Sequence, residues 1–97
     1  MNEQVLFLCE IKEKTRTGYT LKGELQDETV FEVEVPKHLV TPIENTNPQR
    51  AWLQVEYSGE ANMVASITLP KPVLDFGHKI SVSTSRIKRV PQHEQNG

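Results

Sequence analysis

The sequence predicts an all-β fold: a small antiparallel barrel, or a strongly curved sheet of about six short strands, with little helix. Three observations carry this expectation. Residues 18–36, GYTLKGELQDETVFEVEVP, hold two runs in which apolar and polar residues alternate, separated by a short polar break. Four more alternating runs occur at residues 5–11, 51–57, 63–69 and 78–83. Turn residues separate them at intervals typical of all-β sandwiches and barrels. A period of two marks a half-buried strand, because successive side chains point to opposite sides. Closure is favoured for a chain of 97 residues, since it removes exposed edges without a second full sheet.

Taken in order, the first run places Val5, Phe7, Cys9 and Ile11 on one face and Leu6 and Leu8 on the other. A strand apolar on both sides is central or covered twice. Residues 12–17, KEKTRT, form a charged connector, with Gly18 at a turn. The next two runs read as a hairpin. Tyr19, Leu21, Gly23 and Leu25 share one face of the first, Phe31, Val33 and Val35 one face of the second, and Gln26, Asp27, Glu28 and Thr29 form the turn. Pro36 ends the third strand, because proline has no N–H for a ladder.

The pattern dissolves over residues 37–50, where Pro42, Pro48 and the run Glu44, Asn45, Thr46, Asn47 argue against a long helix. A single helical turn over residues 37–40 fits, with Leu39, Val40 and Ile43 plugging one end of the core. Such a long irregular segment is also a place to look for function. In the fourth run Ala51, Leu53, Val55 and Tyr57 face inward and Trp52, Gln54 and Glu56 outward. Ser58, Gly59 and Glu60 read as a turn, and Met63, Ala65, Ile67 and Leu69 as the inward face of a fifth strand stopped by Pro70 and Pro72. After an apolar link (Val73, Leu74, Phe76), a sixth strand buries Ile80 and Val82, and residues 84–90 hold a helical turn or a strand extension that buries Ile87. Residues 1–90 are expected to form a single β domain, and residues 91–97, PQHEQNG, a flexible tail.

Composition narrows the functional classes. The formal charge is −2, from 11 basic and 13 acidic residues, whereas a dedicated non-specific nucleic-acid binder is usually basic as a domain. The single cysteine, Cys9, permits no intrachain disulfide and suits a reducing compartment. The first residues show neither a basic leader nor a long apolar run, so the expectation is a cytoplasmic protein with no membrane span. No internal repeat is visible.

Catalytic constellations are thin. His38, His78 and His93 are scattered, and no CxxC, HExxH, GxSxG or phosphate-cradling glycine run occurs. Cys9 reads as a small core residue. The carboxylates Glu24, Asp27, Glu28, Glu32 and Glu34 cluster on and around the hairpin, and Glu32 and Glu34 alternate with core positions as a solvated face does, which favours solubility and edge protection over metal binding. The expectation is a protein that is not an enzyme and has no cofactor and no metal.

Two binding constellations remain. Leu6, Leu8, Trp52 and Val64 lie out of phase with the core residues of their strands, so they share the opposite face and form a candidate protein interface. Lys12, Lys14, Arg16 and Lys22 surround the first connector, and Arg86, Lys88 and Arg89 follow the last strand. Were these seven to converge beside Trp52, they would form a patch for phosphates and stacked bases. The arrangement of short strands, with an irregular segment between the third and fourth, resembles an oligonucleotide/oligosaccharide-binding (OB) barrel and, more loosely, Sm-like and SH3-like barrels. That resemblance is architectural, implies a binding module and carries no site residue across.

The leading functional expectation is a non-catalytic interaction module that self-associates, a dimer being favoured, or binds a protein partner. Single-stranded nucleic-acid binding comes second. A small-ligand binder or enzyme, supported by the acidic cluster and the 37–50 segment, comes third.

Overall fold

The computed structural model describes residues 3–73 and 75–89, most of them in strands, with short connections and two short 3₁₀ segments between. Leu74 and the tail expected at residues 91–97 lie outside the described residues. Among the described residues eight strands follow in order: β1 (Glu3–Lys14), β2 (Gly18–Glu24), β3 (Val30–Pro36), β4 (Val40–Ile43), β5 (Arg50–Ala61), β6 (Val64–Val73), β7 (Gly77–Ser83) and β8 (Ile87–Arg89). Every pairing is antiparallel, and the main path runs β3-β2-β1-β5-β6-β7. The six strands of this path are the six that alternation predicts.

The sheet is strongly curled and barrel-like. β7 pairs with β6, and its continuation past a 3₁₀ turn at Thr84–Arg86 becomes β8, which pairs with β1. The chain thus returns to the strand that began it. On the other side β3 lies alongside β6, yet among the described residues no ladder joins them. Pro70 and Pro72 offer one reason. They keep the C-terminal half of β6 extended but leave it without N–H donors at two positions.

One continuous core fills the concave side. Val5, Phe7 and Cys9 of β1 meet Leu21 of β2, Phe31, Val33 and Val35 of β3, Leu53 and Val55 of β5, Ile67 and Leu69 of β6, and Ile80 and Val82 of β7. Ile11, Tyr19, Leu25, Leu39, Tyr57 and Ile87 pack partly buried around it. The hairpin register follows the alternation, with Leu21 opposite Val33 and Tyr19 opposite Val35. Its turn is tied by the Leu25 amide donating to the Thr29 carbonyl (2.8 Å) and the Thr29 amide donating to Asp27 Oδ1 (3.0 Å). Gly18 is required where it stands, because a Cβ there would lie 1.9 Å from the Val35 carbonyl oxygen.

Several local expectations are corrected. Residues 58–60 are not a turn: β5 continues to Ala61, and Gly59 absorbs a register shift beside Tyr57. The hairpin turns instead at Asn62 and Met63, both at positive φ (54° and 66°), the backbone of a two-residue loop that matches strand twist. Met63 is therefore no inward residue; it is 78% exposed. Pro70 and Pro72 do not stop β6, which remains extended to Val73. The 37–50 segment is also more regular than its composition suggests. A 3₁₀ turn at Lys37–Leu39 leads into β4, which pairs with β5 and buries Val40.

A candidate binding face around Trp52

The site begins with strand parity. On β1, Val5, Phe7 and Cys9 point into the core, so Gln4, Leu6, Leu8 and Glu10 point out. On β5, Ala51, Leu53 and Val55 point in, so Arg50, Trp52, Gln54 and Glu56 point out. The β1–β5 register then sets Leu8 directly across from Trp52, Leu6 across from Gln54, and Glu10 across from Arg50. β4 adds Thr41 beside Trp52, and β8 adds Lys88 beside Leu6. The result is a small apolar centre of Leu6, Leu8 and Trp52, each half-buried, inside a polar frame.

The frame carries both charge signs. The Lys88 ammonium lies over the Trp52 ring, 5.5 Å from its centroid, in a cation–π arrangement. Gln54 Nε2 donates to Gln4 Oε1 at 3.0 Å and closes one border.

Three of the four predicted interface residues are thus brought together. Val64 is not among them. It shares their phase but pairs with Ala61, nine residues from Trp52 along β5, or roughly 30 Å of strand.

The seven predicted cations do not converge as a group. Lys14 and Arg16 sit at the far end of β1, around the connection to β2. Lys12 donates to Glu32 Oε2, and Lys22 lies across the ladders from both Glu10 and Glu32. Arg86 Nη2 donates to Glu24 Oε1 at 3.1 Å. Arg89 donates to Glu3, stands 3.9 Å from Glu60 and lies over the Tyr57 ring at 4.8 Å. Tyr57 itself donates to Glu60 at 2.7 Å, which holds its phenol above the ordinary value. This cluster pins the end of β8 against β1 and β5 and faces away from Trp52.

Arg50 belongs to the Trp52 face and is absent from the predicted set. The signal was present: the alternation of residues 51–57 extends one position further back, placing Arg50 in phase with Trp52.

Recesses flank the face. One of about 70 Å³, lined by Leu8, Cys9, Glu10, Lys22, Gly23, Glu24, Arg50 and Arg86, opens where β1 exchanges β8 for β2. Another of about 320 Å³ opens where β5 exchanges β4 for β6 and includes Gln4, Leu39, Gln54 and Pro70. A third, of about 420 Å³, lies away from Trp52 between the hairpin tip and β7, with Leu25, Asp27, Phe76 and Lys79 on its walls.

Among the described residues no group of three or more His, Cys, Asp or Glu side chains is placed to hold a metal ion. His78 Nδ1 lies 3.1 Å from the Leu69 carbonyl, and His93 lies outside the described residues. Burial pushes the Cys9 thiol up to about 12, against a smaller opposing pull from the Arg86 charge, so it is a neutral core group at physiological pH. Among the described residues no helix is long and apolar enough to cross a membrane. No protein family, curated protein or solved structure matches the chain.

Proposed function

We propose that the protein is a non-catalytic interaction module that self-associates through the outer face of β1 and β5, with Trp52 at its centre. One observation carries this reading: the cross-strand pair Leu8–Trp52, extended by Leu6, forms a contiguous apolar centre on the convex side of the sheet. Aromatic anchors framed by polar residues are the anatomy of protein interfaces. A second copy suits the frame because Arg50, Lys88 and Glu10 give it both charge signs, as a face that meets its own copy requires, and twofold symmetry is the commonest among homo-oligomers. Sedimentation velocity across a concentration series tests it. The wild type should gain mass with concentration, and Trp52→Gln and Leu8→Gln should remain monomeric. A wild type that stays monomeric, or variants that associate equally well, would overturn the reading.

Single-stranded nucleic-acid binding is the second reading, and Lys88 over Trp52 with Arg50 beside it is the observation that favours it. The interleaved carboxylates weigh against a sequence-independent form, since a polyanion would meet Glu10, Glu24 and Glu32 along with the cations.

A further inference from the structure

We infer that the recess at the fork between β2 and β8 is a binding subsite for the phosphate group of a small phosphorylated ligand. The inference does not rest on self-association. It starts from the way β1 is shared between neighbours. β8 pairs with β1 at Val5, Leu6 and Phe7, and β2 pairs with it from Glu10 onward. Between them, among the described residues, the edge of β1 at Leu8 and Cys9 has no strand partner on that side, and the sheet opens. Three strands and the 3₁₀ turn bring charged side chains to the gap: Lys22 from β2, Arg50 from β5, Arg86 from the turn before β8, and Glu10 and Glu24.

Charge and chemistry decide what fits. Three cations meet two carboxylates, so the recess is net positive in a chain whose net charge is −2. Cys9 on its wall is a neutral thiol and adds no opposing charge. Only one carboxylate is engaged by a cation of the recess, through the Arg86–Glu24 contact at 3.1 Å. A guanidinium has five N–H donors, so Arg86 keeps others for a ligand. Among the described residues the side chains of Lys22 and Arg50 make no hydrogen bond or ion pair.

The volume, about 70 Å³, exceeds the roughly 10–15 Å³ that one water requires and admits a tetrahedral oxyanion. Two arginines and a lysine from separate elements can donate to different oxygens at once, an arrangement that favours phosphate over a planar monoanion. Glu24 competes with the ligand for Arg86, which makes the affinity of the subsite adjustable in both directions.

Trp52 is the only tryptophan and faces Leu8 on the recess wall, so its fluorescence reports occupancy. Inorganic phosphate, adenosine monophosphate and acetate would be titrated at a protein concentration where sedimentation shows monomer, and again in Trp52→Gln followed by amide NMR. This choice separates failure of the subsite from failure of the interface. Saturable changes are expected with phosphate and the mononucleotide, and none with acetate. Tighter binding of the mononucleotide than of phosphate would identify a nucleotide as the ligand class, whereas equal affinities would limit the subsite to the phosphate group alone. Arg50→Gln and Lys22→Gln should each weaken binding about tenfold or more. Glu24→Gln should tighten it several-fold by releasing Arg86. No saturable response to either phosphate compound, or responses unchanged in Arg50→Gln and Glu24→Gln, would overturn the assignment.

Discussion

Gly23 gives the most direct test of how the hairpin packs on β1. It faces the core on β2, opposite Phe31, and a Cβ built there would lie 2.7 Å from Phe31 Cζ, 3.0 Å from Phe31 Cε2 and 3.1 Å from Phe7 Cε2. Comfortable carbon–carbon contact is about 3.5–4.0 Å, so the methyl of Gly23→Ala intrudes on Phe31 by roughly 1 Å. The Phe31 ring cannot easily swing aside. It is 4% exposed and lies nearly parallel to Phe7, with centroids 6.3 Å apart and planes 7° off. Overpacking of this kind costs about 1–3 kcal/mol, partly offset by about 0.5–1 kcal/mol because alanine loses less chain entropy than glycine in a strand. The expected net loss is about 0.5–2 kcal/mol.

Urea unfolding followed by Trp52 fluorescence measures it, and a second substitution isolates the cause. Phe31→Leu removes the Cζ and Cε2 atoms that a Gly23 methyl would strike, at its own cost in buried area. In that background only the 3.1 Å approach to Phe7 Cε2 remains, so Gly23→Ala should cost much less than in the wild type, giving a coupling energy of about 1 kcal/mol. Should Gly23→Ala prove harmless in the wild type, or equally damaging in both backgrounds, the stacked rings do not close over Gly23 and the packing of the hairpin is wrong.

Two further outcomes follow from single residues. Glu28 holds a φ of 72° at the β2–β3 turn, a backbone that costs a side-chain-bearing residue about 1–2 kcal/mol, so Glu28→Gly should raise stability by about 0.5–1 kcal/mol in the same assay; a loss would show that the Glu28 side chain itself supports the turn. Burial raises Cys9 to about 12 from an ordinary 9.0, so the unfolded chain gives up this proton first; the thiol's contribution should be flat below pH 9 and fall by up to about 1.4 kcal/mol per pH unit between 9 and 12, and Cys9→Ala should make the alkaline decline shallower by that share. Identical pH profiles for wild type and Cys9→Ala would place the thiol in contact with water.

Much of the fold was legible because alternation survives wherever one strand face is buried. All six main strands and the inward sets of β1, β2, β3, β5 and β7 could be read this way. The misreadings came where local chemistry was outweighed by pairing. Ser58, Gly59 and Glu60 look like a turn, but β6 pairs beyond them, and Gly59 serves a register shift instead. Pro70 and Pro72 look like a stop, yet an extended backbone needs no donors where no ladder is made. β4 and β8 are four and three residues long, too short for periodicity to show. The site was half legible for a related reason. Phase identifies the face a residue occupies but not its place along the sheet, so Val64 joined Trp52 on paper and stands apart from it in space. Nor can phase show which carboxylate meets which cation, because that depends on cross-strand register.

The features that single out the Trp52 face share one origin in strand length. β1 and β5 each run 12 residues, whereas most of their neighbours are shorter. In a strongly curled sheet a strand that long outlasts the neighbour on its free edge, so each takes two in succession: β8 then β2 along β1, and β4 then β6 along β5. Each exchange opens a fork, and each fork is a recess on the flank of the same strand pair. Leu8 and Trp52 lie between the two forks because they are the central outward positions of that pair. The cations reach the first recess for the same reason, since Arg86 arrives with β8 and Lys22 with β2 while Arg50 stands on β5. An apolar centre flanked by two openings is therefore what two long, shared strands produce when their outward residues include leucine and tryptophan. Shortening either strand would close its fork, so the curl of the sheet and the recesses beside Trp52 cannot be varied independently.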